Sequence, residues 1–345
     1  MITNVLQESA RVLTEDLLKT KPGEIFVITA DTRSDMDVAH AIEISAGMAG
    51  AKTIVLLTPT PGGVSLEADK DIPVEPLSAL LSQADIWVEL NKQWLLYSTP
   101  FYRAKKANLK LRHVCLTGTT ADTLISCVGK INYPVMRDFT AKLTEKIRNA
   151  RHVRFVSPHG EEISFMNAPE RPISVKMGYM DKPGTHLFMG QMGWTPDIES
   201  VNGTICLDGS VAPDIGLVKS PIYLELKDGI ICSIYGGSQA KQYEEWLKSF
   251  NHPQMLRVSH AGLGFHPSAR VQGDILQDQR AWGSTTWGFG SIGAAMLPPD
   301  GVFAPSHSDA VSLNTSIYLD DAPLWINSIM VDPDLAGLAK DLVLK

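Results

Sequence analysis

The sequence predicts a protein of α/β and α+β class, with a doubly wound Rossmann-like parallel sheet followed by a mostly antiparallel α+β part. Short apolar runs alternate with helical patterns as far as residue 150, and hairpin signals replace this alternation afterwards. The length of 345 residues is also more than one core usually serves. We therefore expect a Rossmann-like α/β domain at 1–150 and an α+β catalytic, metal-binding domain at 151–345.

The first domain is expected to begin with an amphipathic helix that Pro22-Gly23 ends. The expected strands are 25–29, 53–57, 86–90 and 111–116. The expected helices are 34–49, 77–81, 99–107 and 135–149. The first two strands are continuous apolar runs, which is typical of strands covered on both faces. No G-x-G-x-x-G follows the first strand, so the pattern indicates an architecture and not a dinucleotide site.

The second domain is expected to contain two antiparallel hairpins. One joins 152–156 to 163–165, and the other joins 222–226 to 230–234 through Asp228-Gly229, a strong hairpin signal. Residues 240–250 follow as a helix. Four further acids are expected at turns or on the surface: Asp278, Asp300, Asp320 and Asp321.

Composition argues against several classes of partner. The net charge of −7 disfavours binding to nucleic acid or anionic membranes, and Lys105, Lys106, Lys110 and Arg112 are interpreted as a solvated helix end. No apolar run approaches the roughly 20 residues of a membrane span. The four cysteines are scattered and the N-terminal stretch carries acids, so we expect a reduced, cytoplasmic protein without a targeting peptide.

The chemistry is expected to centre on His307-Ser308-Asp309. Side chains two residues apart point the same way in an extended segment, so the imidazole and the carboxylate would lie side by side. Two histidines and one carboxylate form the facial triad that leaves positions open at non-haem Fe(II). The third ligand is expected from VSHAGLGFHPS, residues 258–268, which holds His260 and His266. The alternative interpretation of H-x-D is a surface turn before a helix.

The glycine-rich run GSTTWGFGSIG, residues 283–293, allows two interpretations. It could form a set of tight turns, or it could form a wall where the backbone approaches a planar ligand. Motifs of other enzyme classes are missing: the sequence has no G-x-S-x-G, no H-E-x-x-H and no P-loop.

Several segments together resemble the 2,5-dihydroxypyridine 5,6-dioxygenase family, whose superfamily also includes the aminopeptidase T/S metallopeptidases. These segments are Tyr235-Gly236-Gly237, Phe250-Asn251, VSHAGLG at 258–264, DQRAW at 278–282 and PSHSD at 305–309. The resemblance is fairly specific over roughly 203–321, and the N-terminal half agrees in pattern more than in residues.

The resemblance implies Fe(II) held by His260, His307 and Asp309. It implies a small hydroxylated aromatic substrate such as 2,5-dihydroxypyridine, which O2 would open to N-formylmaleamate in nicotinate-type catabolism. It also implies a homo-oligomer. The residues that it places near the substrate are Leu96, His186, His266 and Arg280.

The chain departs from the family at one catalytic position. Where the family has a Leu-His pair acting as lid and acid/base group, this chain has Leu96-Tyr97. A phenol, with a reference pKa near 10, donates hydrogen bonds well but is a poor base at neutral pH. We expect Tyr97 to act as a proton donor, and the departure leaves the substituents of the ring open.

Two alternatives remain. The peptidase branch has Glu, Glu and His where this chain has His260, Gln279 and Thr286, so a dinuclear hydrolytic site would lack several ligands. The second alternative is a non-catalytic relative whose triad holds a structural metal.

Overall fold

The structure, a computed structural model, describes residues 3–213 and 215–344. The α-helices in chain order are α1 Asn4–Arg11, α2 Met36–Met48, α3 Val74–Ser82, α4 Thr99–Ala107, α5 Ala121–Leu124, α6 Tyr133–Asn149, α7 Ser238–Ser249, α8 Ile275–Asp278 and α9 Pro333–Ala339. π-Helical segments continue α1 and α5, at Val12–Leu17 and Ile125–Gly129. Short 3₁₀ segments lie at Ser65–Lys70, Ile198–Ser200 and Pro253–Leu256.

The first ten β-strands are β1 Ile25–Asp31, β2 Lys52–Thr58, β3 Ile86–Glu89, β4 Arg112–Cys115, β5 His152–Val156, β6 Glu162–Met166, β7 Ile173–Val175, β8 Gly184–His186, β9 Gln191–Trp194 and β10 Asn202–Leu207. The later strands are β11 Ser210–Ala212, β12 Gly216–Leu217, β13 Ile222–Lys227, β14 Ile230–Gly236, β15 Val258–Gly264, β16 Thr285–Ile292, β17 Val302–Ser312, β18 Ser316–Leu319, β19 Ala322–Ile326 and β20 Ile329–Met330.

The chain divides into two compact units. Unit 1 comprises the described residues up to Ile131, together with Gly178–Phe188 and Leu344, and unit 2 comprises Asn132–Met177 and Met189–Val343. The division falls at Ile131 and not at residue 150, because α6 packs with later segments of unit 2. The Phe139 ring of α6 lies 6.0 Å from Phe265 and 5.7 Å from Trp282, between ring centroids.

Unit 1 contains a parallel sheet with strand order β2-β1-β3-β4-β8. This confirms the predicted parallel sheet of the N-terminal half. The expected burial of the second strand was wrong: Ile54 and Leu57 of β2 are 40% and 51% exposed. The reason is that β2 is an edge strand, which its neighbours cover only in part.

One buried carboxylate joins three loops at the carboxyl edge of this sheet. Asp31 ends β1, and its Oδ1 accepts hydrogen bonds from the backbone N–H of Arg33 (2.8 Å) and the hydroxyl of Thr60 (3.0 Å). Its Oδ2 accepts the N–H of Gln93 (3.0 Å). Asp31 is fully buried, so these donors compensate the desolvation of its charge.

Arg112 corrects the expectation of a solvated basic cluster. It is the first residue of β4 and is 6% exposed, because its guanidinium forms an ion pair with Glu24 (Nη2 to Oε1, 2.5 Å) and donates to the carbonyl of Leu18 (2.5 Å). The guanidinium therefore stabilises the interior of unit 1 and contributes nothing to a basic surface.

Unit 2 contains two antiparallel sheets, with strand orders β14-β13-β10-β6-β5-β18-β19-β20 and β12-β11-β17-β16-β15-β9-β7. Both predicted hairpins are confirmed, as β5–β6 and β13–β14. In the second turn Asp228 and Gly229 have φ values of +52° and +72°, the left-handed region that such tight turns require.

Aromatic rings join the two sheets of unit 2. Trp287 of β16 lies edge-on to Phe155 of β5 (5.6 Å) and Phe165 of β6 (6.0 Å), and Trp194 of β9 lies 6.3 Å from Phe165. These rings are at most 3% exposed. They form the core between the sheets and leave the opposite face of β16 free for other contacts.

No described helix combines the length and the apolar composition that a membrane-spanning segment requires.

Replacing Trp287 by Ala should destabilise the protein by about 3–5 kcal/mol, the range for deleting a buried aromatic side chain. Chemical denaturation would measure this loss. Phe303→Ala is the matched control, since Phe303 is 79% exposed on β17 and should change the free energy of unfolding little. Equal losses in both variants would contradict the assignment of Trp287 to the core.

Candidate metal centre

Three adjacent strands of unit 2 place His260, His307 and Asp309 on one face of the sheet. His260 of β15 is paired with Gly288 of β16, and Gly288 is paired with Asp309 of β17. His307 is paired with Gly290 in the same ladder. The extended conformation expected around His307-Ser308-Asp309 is thus confirmed, and the side chains of His307 and Asp309 share a face as the period of two requires.

A β-bulge adjusts the position of His260. The pairing of β15 with β16 moves from Val258 opposite Phe289 to His260 opposite Gly288, so Ser259 is an extra residue. The Ser259 hydroxyl donates to the carbonyl of Ser291 (2.9 Å), which holds the bulged residue. Bulges re-aim side chains in this way, and here the result is an imidazole directed towards Asp309.

The three side chains converge closely enough to hold one metal ion. Asp309 Oδ1 lies 3.3 Å from His260 Nε2 and 3.4 Å from His307 Nε2. The two imidazole rings are stacked, with their centroids 5.4 Å apart and an interplanar angle of 12°. The possible ligand atoms of all three residues lie within 4.8 Å of one another. Two imidazoles and one carboxylate are the donor set of a facial triad, so these residues fit a divalent metal such as Fe(II).

The hydrogen bond of His307 sets its tautomer. Its Nδ1 lies 2.8 Å from the carbonyl oxygen of Ser291. A carbonyl only accepts, so Nδ1 carries the proton of the neutral ring and Nε2 keeps a lone pair for a metal. The Nδ1 of His260 is buried and has no hydrogen-bond partner in the described part of the chain, so packing holds this ring.

Electrostatic attraction couples the three groups. Burial favours the neutral carboxyl of Asp309, but His307 and His260 outweigh it and hold the pKa of Asp309 well below its usual range. Burial also disfavours the charged form of His307, yet the carboxylate of Asp309 and the bond to Ser291 raise the pKa of His307 above its ordinary value. A metal ion must therefore compete with a proton on His307.

A glycine is required at position 288, between His260 and Asp309 on the neighbouring strands. A Cβ at Gly288 would lie 2.2 Å from His260 Nδ1 and 2.3 Å from its Cε1, which no side chain can occupy without moving the ring. The run at 283–293 is not a set of tight turns, since most of it forms β16. The absence of a side chain at Gly288 provides the space for the imidazole of His260.

On the other face of β17, Ser308 anchors the ligand strand. The Ser308 hydroxyl donates to the carbonyl of Ala212 (2.7 Å) and lies 2.8 Å from the hydroxyl of Tyr243, which is fully buried on α7. Burial raises the pKa of Tyr243, so its phenol stays neutral at physiological pH. These bonds fix the residue between the two proposed ligands of β17.

His266 and Arg280, both predicted to bind substrate, lie side by side in unit 2. The backbone N–H of His266 donates to the carbonyl of Arg280 (2.9 Å), and His266 Nδ1 accepts from the N–H of Ser268 (3.2 Å). Arg280 is 2% exposed and its guanidinium donates to the carbonyl of Leu276. Neither residue is a surface group.

Asp278 corrects the expectation of a turn or surface acid. It is fully buried at the end of α8, and its carboxylate accepts the N–H groups of Gln272 (2.8 Å) and Gly273 (3.0 Å). Desolvation nevertheless raises its pKa above the ordinary value. Asp278 therefore orders the loop before Arg280.

Leu96, Tyr97 and His186 belong to unit 1. Leu96 is buried, whereas Tyr97 is 53% exposed, has a φ of +67° and lies edge-on to Phe101 (5.6 Å). His186 ends the short edge strand β8, and its Nε2 donates to the carbonyl of Lys182 (2.7 Å).

A buried pair that sequence reasoning missed supports the Tyr97 segment. Glu89 ends β3 with no exposed surface, and its Oε1 accepts the N–H groups of Leu95 and, at 3.3 Å, Leu96. Its Oε2 lies 2.9 Å from Nε2 of the buried His113. The available signal was an acid inside an apolar strand, since a buried carboxylate needs partners.

Replacing Gly288 by Ala should weaken metal binding about 10- to 100-fold, the range for perturbing residues that orient metal ligands. Competition with a chelator for Fe(II), under anaerobic conditions, would measure the affinity. Gly293→Ala is the control, because a Cβ there meets nothing within 4 Å. Equal affinities in the two variants would show that Gly288 does not position His260.

Comparisons with known proteins agree with this architecture. The family model of NicX, 2,5-dihydroxypyridine 5,6-dioxygenase, matches residues 10–332. A curated 2,5-dihydroxypyridine 5,6-dioxygenase from Pseudomonas putida is 27% identical over 206 residues, which are 54% of this chain and 56% of that protein. The aligned region thus spans little more than half the length of this relative.

Two solved structures share the fold. A 2,5-dihydroxypyridine dioxygenase from Pseudomonas putida KT2440 aligns with a TM-score of 0.74 at 20% identity, over 97% of this chain and 100% of that one. Wild-type AmpT from Thermus thermophilus aligns with a TM-score of 0.70 at 13% identity, over 96% and 100%. These likenesses confirm the predicted fold class, and the match of the family model over 10–332 identifies the chain as a member of the 2,5-dihydroxypyridine 5,6-dioxygenase family.

Proposed function

We propose that this protein is a dioxygenase that opens the ring of a hydroxylated N-heteroaromatic compound such as 2,5-dihydroxypyridine, with Fe(II) as its metal. The observation that carries the proposal is the convergence of His260 Nε2, His307 Nε2 and Asp309 Oδ1 on one face of a sheet. Membership of the family supports the same reaction class.

His260, His307 and Asp309 would hold the iron. When bound, Fe(II) with two imidazoles and one carboxylate supplies open coordination positions at which oxygen and a ring oxygen can be activated. The surrounding residues would keep the three ligand atoms in position and in the right protonation state. Ser291 keeps the proton of His307 on Nδ1, and Gly288 leaves room for the ring of His260.

We further propose that Arg280 orients an anionic ring oxygen of the substrate. A guanidinium is always charged and presents several donors in a fixed plane, so it suits a deprotonated hydroxyl group. The roles in substrate binding of His266 in unit 2 and of Leu96 and His186 in unit 1 stay predictions, as does proton donation by Tyr97. The homo-oligomeric state and the cytoplasmic location stay predictions.

The aminopeptidase alternative has less support. A dinuclear site needs more carboxylates than the triad offers, and the corresponding positions here are engaged otherwise or uncharged. Gln279 accepts a hydrogen bond from the amide of Gln191 (2.9 Å), and Thr286 is a fully buried hydroxyl. The likeness to AmpT extends to the fold only.

Anaerobic reconstitution with Fe(II), followed by addition of O2 and 2,5-dihydroxypyridine, tests the reaction. We expect one O2 consumed per ring opened, measured with an oxygen electrode and by loss of the ring absorbance. Asp309→Ala should abolish both signals, because the triad loses its only carboxylate, while Asp300→Ala, a change of an exposed acid, should retain them.

Three outcomes would contradict parts of this proposal. Full turnover by Asp309→Ala would contradict the ligand assignment. Oxygen uptake with other hydroxylated rings but not with 2,5-dihydroxypyridine would contradict the substrate. Peptide cleavage without oxygen would replace the dioxygenase by the peptidase.

Replacing Tyr97 by Phe should lower kcat about 10- to 100-fold, because a positioned general acid contributes at least this much. Tyr102→Phe is the matched control, since Tyr102 is equally exposed (52%) and also lies edge-on to Phe101. Steady-state oxygen uptake would measure both variants. An unchanged kcat in Tyr97→Phe would leave the phenol without a role in proton transfer.

A further inference from the structure

A second group of metal-ligating side chains lies in unit 2 and shares no residue with the triad. It consists of His159, Cys206 and Asp208, which we call the Cys206 group. Their possible ligand atoms all lie within 4.8 Å of one another. His159 Nε2 and Asp208 Oδ2 are 3.9 Å apart. Ligand atoms around tetrahedral zinc are separated by about 3.3–3.8 Å, so these side chains would need to move only slightly closer together to bind it.

The fold builds this group from two separate segments. Cys206 lies near the end of β10, is 3% exposed and forms no disulfide. Asp208 follows the strand, and its Oδ1 accepts the N–H of Leu313 (2.7 Å). That bond fixes the carboxylate and leaves Oδ2 directed towards His159. The thiol and the carboxylate are therefore positioned by strand contacts.

His159 comes from the turn of the β5–β6 hairpin. The hydroxyl of Ser157 accepts the N–H groups of His159 (3.1 Å) and Glu161 (3.3 Å) and donates to Glu161 Oε2 (2.5 Å). The turn is thus ordered, whereas the imidazole is 46% exposed and can adjust its position. An ion could enter from this exposed side.

The charges at the group favour a cation. The carboxyl groups of Asp208 and Glu161 lie near the Cys206 thiol, and no Lys or Arg forms an ion pair with Asp208 or Glu161 in the part of the chain that is described. Burial, with Asp208 and Glu161, raises the pKa of Cys206 to about 12. Burial also raises the pKa of Asp208. A divalent cation would compensate the carboxylate charge and would favour release of the thiol proton.

We propose that His159, Cys206 and Asp208 bind a zinc ion, with water in the fourth position. The donor set of thiolate, imidazole and carboxylate suits zinc, which accepts all three. On binding, a zinc–sulfur bond forms as the Cys206 thiol releases its proton to solvent. The ion links the β5–β6 turn to the end of β10. This proposal does not depend on the reaction catalysed at the triad.

Cobalt(II) provides the test, because a cobalt–thiolate bond gives a charge-transfer absorption that nitrogen and oxygen ligands do not give. The Asp309→Ala variant, stripped of metal, is titrated with Co²⁺ to remove the contribution of the triad. We expect a thiolate band that saturates at one Co²⁺ per chain and disappears when Zn²⁺ is added. The band should be lost in Asp309→Ala/Cys206→Ser.

Two further variants keep the test valid if Cys206→Ser disturbs the fold. His159→Gln changes a half-exposed side chain on a turn and should weaken Co²⁺ binding at least 10-fold. Cys232→Ser removes the exposed cysteine and should change nothing. No thiolate band in the Asp309→Ala protein, or a band that persists without Cys206, would overturn the proposal.

A second readout separates zinc at the Cys206 group from the iron chemistry. Zn²⁺ should raise the melting temperature of Asp309→Ala but not that of its Cys206→Ser derivative. Iron-loaded Cys206→Ser should consume oxygen like the unmodified chain, since Cys206 belongs to no proposed catalytic contact. A loss of oxygen uptake in this variant without a change in melting temperature would contradict the independence of the two sites.

Discussion

The buried carboxylate of Asp309 is the constraint on which the candidate metal centre depends. Taking a charge out of water is costly unless opposite charges and hydrogen bonds compensate it, and here both imidazoles lie within 3.4 Å of one oxygen atom. The surrounding strands follow from that requirement. β17 must be extended to present His307 two residues away, β15 must bulge to aim His260, and β16 must omit a side chain between them.

Sequence reasoning succeeded where the relevant contact is local. The side-by-side placement of His307 and Asp309 follows from the period of a strand, and the β13–β14 turn follows from Asp228-Gly229. It failed where a contact with another segment of the chain determines the role of a residue. The role of Gly288 stayed open between a turn and a wall beside a ligand, because only the pairing of β16 with both ligand strands gives this glycine its place. Arg112 and Asp278 looked like surface charges, because the ion-pair partner of Arg112 is remote in sequence and the N–H group that Asp278 accepts belongs to a loop.

The two units use buried carboxylates in the same way. In unit 1, Asp31 and Glu89 stand at the carboxyl ends of adjacent parallel strands and accept backbone N–H groups from the loops that follow. Loops at this edge carry the ligand sites of many α/β proteins. A carboxylate that is fixed by the sheet and bonded to the loop gives that loop a defined shape, and the segment with Leu96 and Tyr97 is ordered in this manner.

Side chains alternate between the two faces of β16, so a shift of its pairing register would disrupt the contacts on both faces. Trp287 fills the core between two sheets, flanked across the sheet by Ala261 and Ala310, while its neighbour Gly288 leaves the opposite face empty. A slip by one residue would exchange the two faces. The indole would then collide with the imidazole of His260, and the core would lose the ring that contacts Phe155 and Phe165. A misaligned hairpin would therefore lose favourable contacts on both faces of the sheet, so the core and the space beside His260 specify the register without a contribution from a metal ion.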